Sequence, residues 1–214
     1  NPDGELLIDA IEREVESRGY LVSHKLLNAS DFGVPQNRHR VFVVGVRADL
    51  NKQLFDFESI VRSEGKTVGE ALKNLPKKDP NDEHWDLSPQ AKGLVQFIPD
   101  GGSWKSVPYA ELPARLKRIR DDMARYHSPN FYRRFGMNEV MGTVTAAATP
   151  ENSGILHPTE PRRYTVREIA RFQTFPDNFV FAGSGLSDKY KQIGNAVPPE
   201  LARRIALAIR EQYF

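Results

Sequence analysis

An α/β fold is predicted for this 214-residue chain: part of a doubly wound sheet with flanking helices, interrupted by a loop-rich mixed region. Three observations predict it. Val41-Phe-Val-Val-Gly-Val46 is a near-continuous apolar run, which suits a strand covered on both faces. Leu7, Ile11 and Val15 recur at helical spacing ahead of it. Leu201, Ile205 and Ile209 do the same near the other end, directly after Pro198 and Pro199. Proline suits a first helical turn, where its missing N–H is not needed.

Taken in order, residues 5–18 read as an amphipathic helix stopped by Gly19. Tyr20–Leu27 is β-compatible, and 41–46 is the second strand. Two strands are not a stable sheet alone, so neighbours must come from elsewhere. Residues 49–112 show little periodicity beyond a short helix within Thr67–Leu75, with a turn at Asp100-Gly-Gly-Ser103 and several prolines. A helix is expected over 113–126 and extended chain over 140–146. Thr165 and Glu168 form a capping-box pattern for a helix over 165–173, and Phe175-Pro-Asp-Asn-Phe179 turns the chain after it. A loop with Gly194 and Asn195 then leads into the last helix. The division expected is 1–48, 49–188 and 189–214, the first and third forming one unit.

A hydrophobic content of 39% supports a core, while 27% charged residues and a mean hydropathy of -0.53 point to a soluble protein. No apolar run approaches the ~18 residues of a membrane span, and no signal peptide is visible. Zero cysteines exclude disulfides, zinc–thiolate sites and a cysteine nucleophile supplied by this chain. No metal site is expected. The net charge of +2 says little, but its distribution says more. Asp3, Glu5, Asp9, Glu12, Glu14 and Glu16 face only Arg13. Arg115, Lys117, Arg118, Arg120, Arg125, Arg133 and Arg134 cluster near Tyr126, Phe131, Tyr132 and Phe135, and Arg162, Arg163, Arg167 and Arg171 follow. Such clusters suit a phosphate backbone, or equally a solvated face with i,i+4 pairs.

Two stretches invite a chemical reading. Gln36, Arg38 and Arg40 alternate on entry to the second strand, which places them on one side. Two guanidiniums and an amide together read an anion or a carbonyl. Protection of a strand edge by charge is the alternative, although it does not require that order. At the other stretch, a helix start after Gly194-Asn195-Ala196-Val197 offers free N–H groups to an anion, or is simply a well-capped helix.

Phe32-Gly-Val-Pro-Gln-Asn-Arg-His-Arg-Val-Phe-Val-Val-Gly45, Arg163-Tyr-Thr-Val-Arg-Glu-Ile-Ala-Arg-Phe-Gln-Thr-Phe-Pro176 and Tyr190-Lys-Gln-Ile-Gly-Asn-Ala-Val-Pro-Pro199 closely resemble the last three conserved blocks of DNA (cytosine-5) methyltransferases, in order and spacing. Ile98-Pro-Asp-Gly-Gly-Ser-Trp104 is similar to a turn in some bacterial members. The resemblance implies an enzyme that flips a cytosine from the duplex, attacks its C6 with a cysteine and moves a methyl group from S-adenosylmethionine to C5. It implies that Gln36, Arg38 and Arg40 lie at the active site, with Arg40 on the cytosine O2 and its neighbouring phosphate. Gly194, Asn195, Ala196 and Val197 would line the cofactor pocket near its amino-acid end. Thr143 and Thr145 would contact the backbone at the flipped nucleotide, with Arg133 and Arg134 also on DNA. The variable region would be a target recognition domain reading the major groove. Arg167, Glu168, Arg171 and Gln173 would chiefly organise that domain.

The chain departs from this pattern at its start. The Gly-rich cofactor loop, the Pro-Cys nucleophile block and the Glu-Asn-Val block are absent. The chain is therefore expected to be inactive alone, as a C-terminal piece of a larger enzyme or a natural subunit of a split one. The absence of an initiator Met favours the piece. The expected partners are double-stranded DNA, the N-terminal half, covalent or separate, and a second copy through an open strand edge. A bacterial cytoplasmic, nucleoid-associated location is implied. A non-catalytic DNA-binding module is the second reading.

Overall fold

The computed structural model describes residues 6–125, 132–145 and 155–214. Helix α1 (Leu7–Ser17) matches the amphipathic pattern, although Glu5 lies outside the described residues. Gly19 ends it at φ 83°, a left-handed conformation that costs glycine little. Strands β1 (Tyr20–Asn28) and β2 (His39–Arg47) then pair antiparallel, from Tyr20 opposite Arg47 to Asn28 opposite His39. Among the described residues this sheet has two strands, and the outer edge of β2 has no partner. Among the described residues no parallel, doubly wound neighbours stand beside it.

The register sorts the side chains. Val46, Val44, Phe42 and Leu27 share one face. The C-terminal helix, Pro199–Tyr213, packs Leu201, Ile205 and Ala208 into that core together with Phe55, Phe57 and Ile60. Burying each of the larger side chains contributes about 2 kcal/mol. On the opposite face α1 covers only part of the sheet: Val15 lies over Gly45, and Glu12 pairs with His24 at 2.5 Å. Beyond it Leu26 (59% exposed) and Val41 (54%) stay open, as does Leu7 (75%) on α1 itself. The apolar run in β2 read as covered on both faces; here it is covered on one.

Helix α2 (Val68–Leu72) comes next, and a second core forms around α3 (Pro89–Val95) and α4 (Ala114–Asp121). Leu87, Leu94, Ile98, Trp104, Leu116 and Ile119 bury together around α3 and α4. Thr67 caps α2 with a capping box. Helix α3 was not expected from periodicity; its local signal is Ser88, which caps it, followed by Pro89 in the first turn. Helix α4 begins as expected and ends at Asp121, while Tyr126 and Phe131 lie outside the described residues. Two short strands, β3 (Arg133–Arg134) and β4 (Ile155–Leu156), pair parallel.

Helices α5 (Val166–Phe172) and α6 (Leu186–Asn195) share a third core with α2, built on Val68, Val166, Phe172 and Ile193. The expected capping box of Thr165 and Glu168 is present. Gly194 and Asn195 are not loop residues: they end α6, and Pro199 opens α7 (Pro199–Tyr213). Residues 140–145 form no strand, only a single bridge from Met141 to Gln36, and Ala146 lies outside the described residues. No helix of the described residues is long and apolar enough to cross a membrane.

Candidate functional site

The segment Pro35–Arg38 is the centre of the site. It runs beside residues 141–144: Asn37 N–H donates to Met141 O at 2.8 Å, and Thr143 Oγ1 donates to Asn37 O at 2.7 Å. Side chains complete the ladder. Val144 N–H donates to Gln36 Oε1, and Val144 O accepts from Arg38 Nη1, both at 2.8 Å. Both backbone groups of Val144 are thereby satisfied by side chains two residues apart. Buried backbone groups demand this kind of pairing.

The same side chains reach the far side. Arg38 Nη2 donates to Gly194 O at 2.8 Å. Gln36 Nε2 donates to Phe172 O at 3.2 Å and to Gln173 Oε1 at 3.0 Å, and Gln173 Nε2 donates to Ile193 O at 2.8 Å. The last carbonyls of a helix lack full intrahelical pairing, and at the end of α6 the Gln173 amide and the Arg38 guanidinium supply donors to Ile193 O and Gly194 O. Gln36, Arg38 and Gln173 are all buried. Burial, followed by the neighbouring Arg40 charge, lowers the pKa of the Arg38 guanidinium.

Arg40 differs. It is exposed, with Nη1 donating to the adjacent His39 O at 2.6 Å. Alternation therefore predicted a shared neighbourhood, but two members of the set are committed to carbonyls and the third faces solvent. Thr143, Thr145, Asn195 and Val197 are exposed as well, and Ala196 is half-buried. These residues form an open rim around the Arg38 clamp.

Within 165–173, Gln173 and Phe172 O reach the site, and the charged residues tie this stretch to its own surroundings. Arg167 Nε pairs with Asp79 at 2.6 Å, both buried, and its terminal nitrogens donate to the carbonyls of Pro176 and Phe179. Glu168 takes a two-pronged contact from Arg162 at 2.7 and 2.8 Å, and Arg171 binds Asp177. Such charge-assisted forks fix orientation. Asn81, which carried no sequence signal, pairs with both backbone groups of Phe181 at 2.9 and 3.0 Å.

Among the described residues Arg133 and Arg134 make no hydrogen bond to this rim, and neither presents a free guanidinium. Arg134 is buried, donating to the carbonyls of His157, Pro158, Glu160 and Val95. Arg133 forks onto Glu139 at 2.8 and 2.9 Å, with its guanidinium 4.8 Å from the Phe135 ring centre. Clustering in sequence did not separate these tethered arginines from the exposed Arg118 and Arg125.

The model of the C-5 cytosine-specific DNA methylase family matches residues 1–211. The chain is 36% identical to Type II methyltransferase M.NgoFVII of Neisseria gonorrhoeae, covering 96% of this chain and 55% of that protein. It is 34% identical to Type II methyltransferase M1.HphI of Haemophilus parahaemolyticus, covering 93% and 50%. The chain thus spans about half the length of the curated relatives it matches. Among solved structures, a chain assigned as a DNA modification methyltransferase encoded within an E. coli prophage superposes with a TM-score of 0.61 at 26% identity, over 96% of this chain and 64% of that one. Dnmt2 methyltransferase of S. pombe shares the fold, with a TM-score of 0.54 at 12% identity over 99% and 65%.

Proposed function

The chain belongs to the C-5 cytosine-specific DNA methylase family, and from that membership we propose that it is the C-terminal part of an enzyme that methylates C5 of a flipped cytosine in a specific duplex site. The observation that carries this is the Arg38 clamp, which draws the Thr143–Thr145 segment and the Gly194 end of α6 onto one rim. A recognition module alone has no evident use for that juxtaposition.

Arg40 is the residue we assign to the cytosine O2 and the adjacent phosphate, because it is the exposed guanidinium of its set. Thr143 and Thr145 present hydroxyls to the backbone. Gln36 and Arg38 touch carbonyls and amides, so they position the rim rather than grip the base. The residues present fit one wall of an S-adenosylmethionine site: Asn195 offers an exposed amide beside exposed Val197, next to the start of α7. They would hold its amino-acid end, and that group supplies an electrophilic methyl when bound. The rest of the pocket and the attacking thiolate would come from the N-terminal half, since this chain has no cysteine.

The half-covered sheet supports that partner. Leu7, Leu26, Val41 and the open edge of β2 form an apolar, strand-ready surface where the remaining sheet would seat. The test is complementation. Mixed with the N-terminal half of such an enzyme, the chain should restore transfer of labelled methyl groups to duplex DNA that neither half performs alone. Duplex binding with no activity in the mixture would instead favour a non-catalytic module.

A further inference from the structure

Two rows of hydrogen bonds run from one residue to consecutive carbonyls at the end of α6. One is Val144 O to Arg38 to Gly194 O, with both bonds at 2.8 Å. The other is Val144 N–H to Gln36 to Gln173 to Ile193 O, at 2.8, 3.0 and 2.8 Å. Each row is buried, and connected hydrogen bonds in a low-dielectric interior reinforce one another. Stability alone does not require that both rows join the same two places. One place carries Thr143 and Thr145, and the other opens directly onto Asn195–Val197.

We propose that Gln173 and Arg38 are positioning residues that couple the Thr143–Thr145 segment to the Gly194–Val197 segment at the end of α6, so that a duplex seated on the first stiffens the second. This rests on assigning DNA to the first segment and the methyl donor to the second. The coupling acts through shared hydrogen bonds and makes binding of either ligand favour the other.

Gln173→Met is the informative variant. Methionine has similar length, and both partners of Gln173 keep another bond: Gln36 Nε2 retains Phe172 O, and Ile193 O retains the N–H of Ala196 at 3.2 Å. Hydrogen–deuterium exchange is measured on the free chain at single-amide resolution. The variant should speed exchange at Val144 by about threefold or more, together with Ala196. Faster exchange at Ala196 with Val144 unchanged overturns the coupling. Should Gln173→Met not fold, Thr143→Val serves, since that side chain is exposed and loses only its bond to Asn37 O. It should speed exchange at Ala196, and an unchanged rate there overturns the proposal.

A second arm adds a random-sequence duplex. It should slow exchange at Ala196 and Val197 in the parent chain and much less in Gln173→Met; equal slowing overturns the coupling. A duplex that leaves residues 143–145 unaltered counts against DNA at this segment, while the free-chain arm still decides whether the rows transmit.

Discussion

Arg38 Nη2 lies 2.8 Å from the carbonyl oxygen of Gly194, although 156 residues separate the two in sequence. Its other terminal nitrogen holds Val144 O at the same distance. Arg38→Met leaves both carbonyls without that donor. A buried unpaired carbonyl costs about 1–3 kcal/mol, so the two together should cost at least about 2 kcal/mol. Thermal denaturation should show it as a fall of roughly 5–15 °C in Tm.

Arg40→Ala should behave oppositely. The side chain is exposed, so stability should change by about 0.5 kcal/mol or less. In the reassembled enzyme, methyl transfer should drop by roughly tenfold to a hundredfold, the worth of one charge-assisted contact. Equal losses in duplex affinity and in turnover would remove its assigned role.

The arginines of 115–134 divide the same way. Arg134→Met empties a site that donates to four carbonyls and should cost about 3 kcal/mol in denaturant titration. Arg118→Ala should leave stability alone while lowering the salt slope of duplex binding by about one. Filter binding across a salt series reads that slope.

Gly142 sits between Met141 and Thr143 and faces an aromatic ring. A Cβ placed there meets Phe135 Cζ at 2.5 Å, and that ring is held beside Arg133. Gly142→Ala should therefore overpack the rim and cost about 1–3 kcal/mol. A Tm unchanged from the parent would show that Phe135 gives way freely.

Acid should weaken the fold before carboxylates titrate. His157 is buried beside Tyr164, with Glu160, Glu168, Arg134 and Arg162 around it, and its Nδ1 accepts from the N–H of Glu160 at 3.1 Å. Burial lowers its pKa, outweighing the pull of Glu168. The unfolded chain then binds the proton more readily. Stability is full above the unfolded value of 6.5 and falls as pH drops below it. Glu160, Asp177 and Glu200, held low by Arg162, Arg171 and Arg203, extend the loss to below about pH 4. Tm measured at about pH 7.5 and about pH 5.5 should differ, and His157→Gln should narrow the gap.

How far the sequence reached depends on which information is local. Phase along α1 and α7, the cap of α5, and the helix stop at Gly19 are set by residues within a turn of each other, and they were readable. Helix α6 was not: its N-cap position, Gly185, makes no side-chain cap bond, and Gly194 reads as a loop residue. Three conserved blocks carried the family, and absent cysteines marked what this chain does not supply. The tertiary structure alone decided which guanidiniums are spoken for. Arg38 and Arg40 look alike in a string, as do Arg118 and Arg134. The difference is whether folding brings distant carbonyls, such as those of Val144, Gly194 and His157, within hydrogen-bonding reach, and no spacing along the chain encodes that distance.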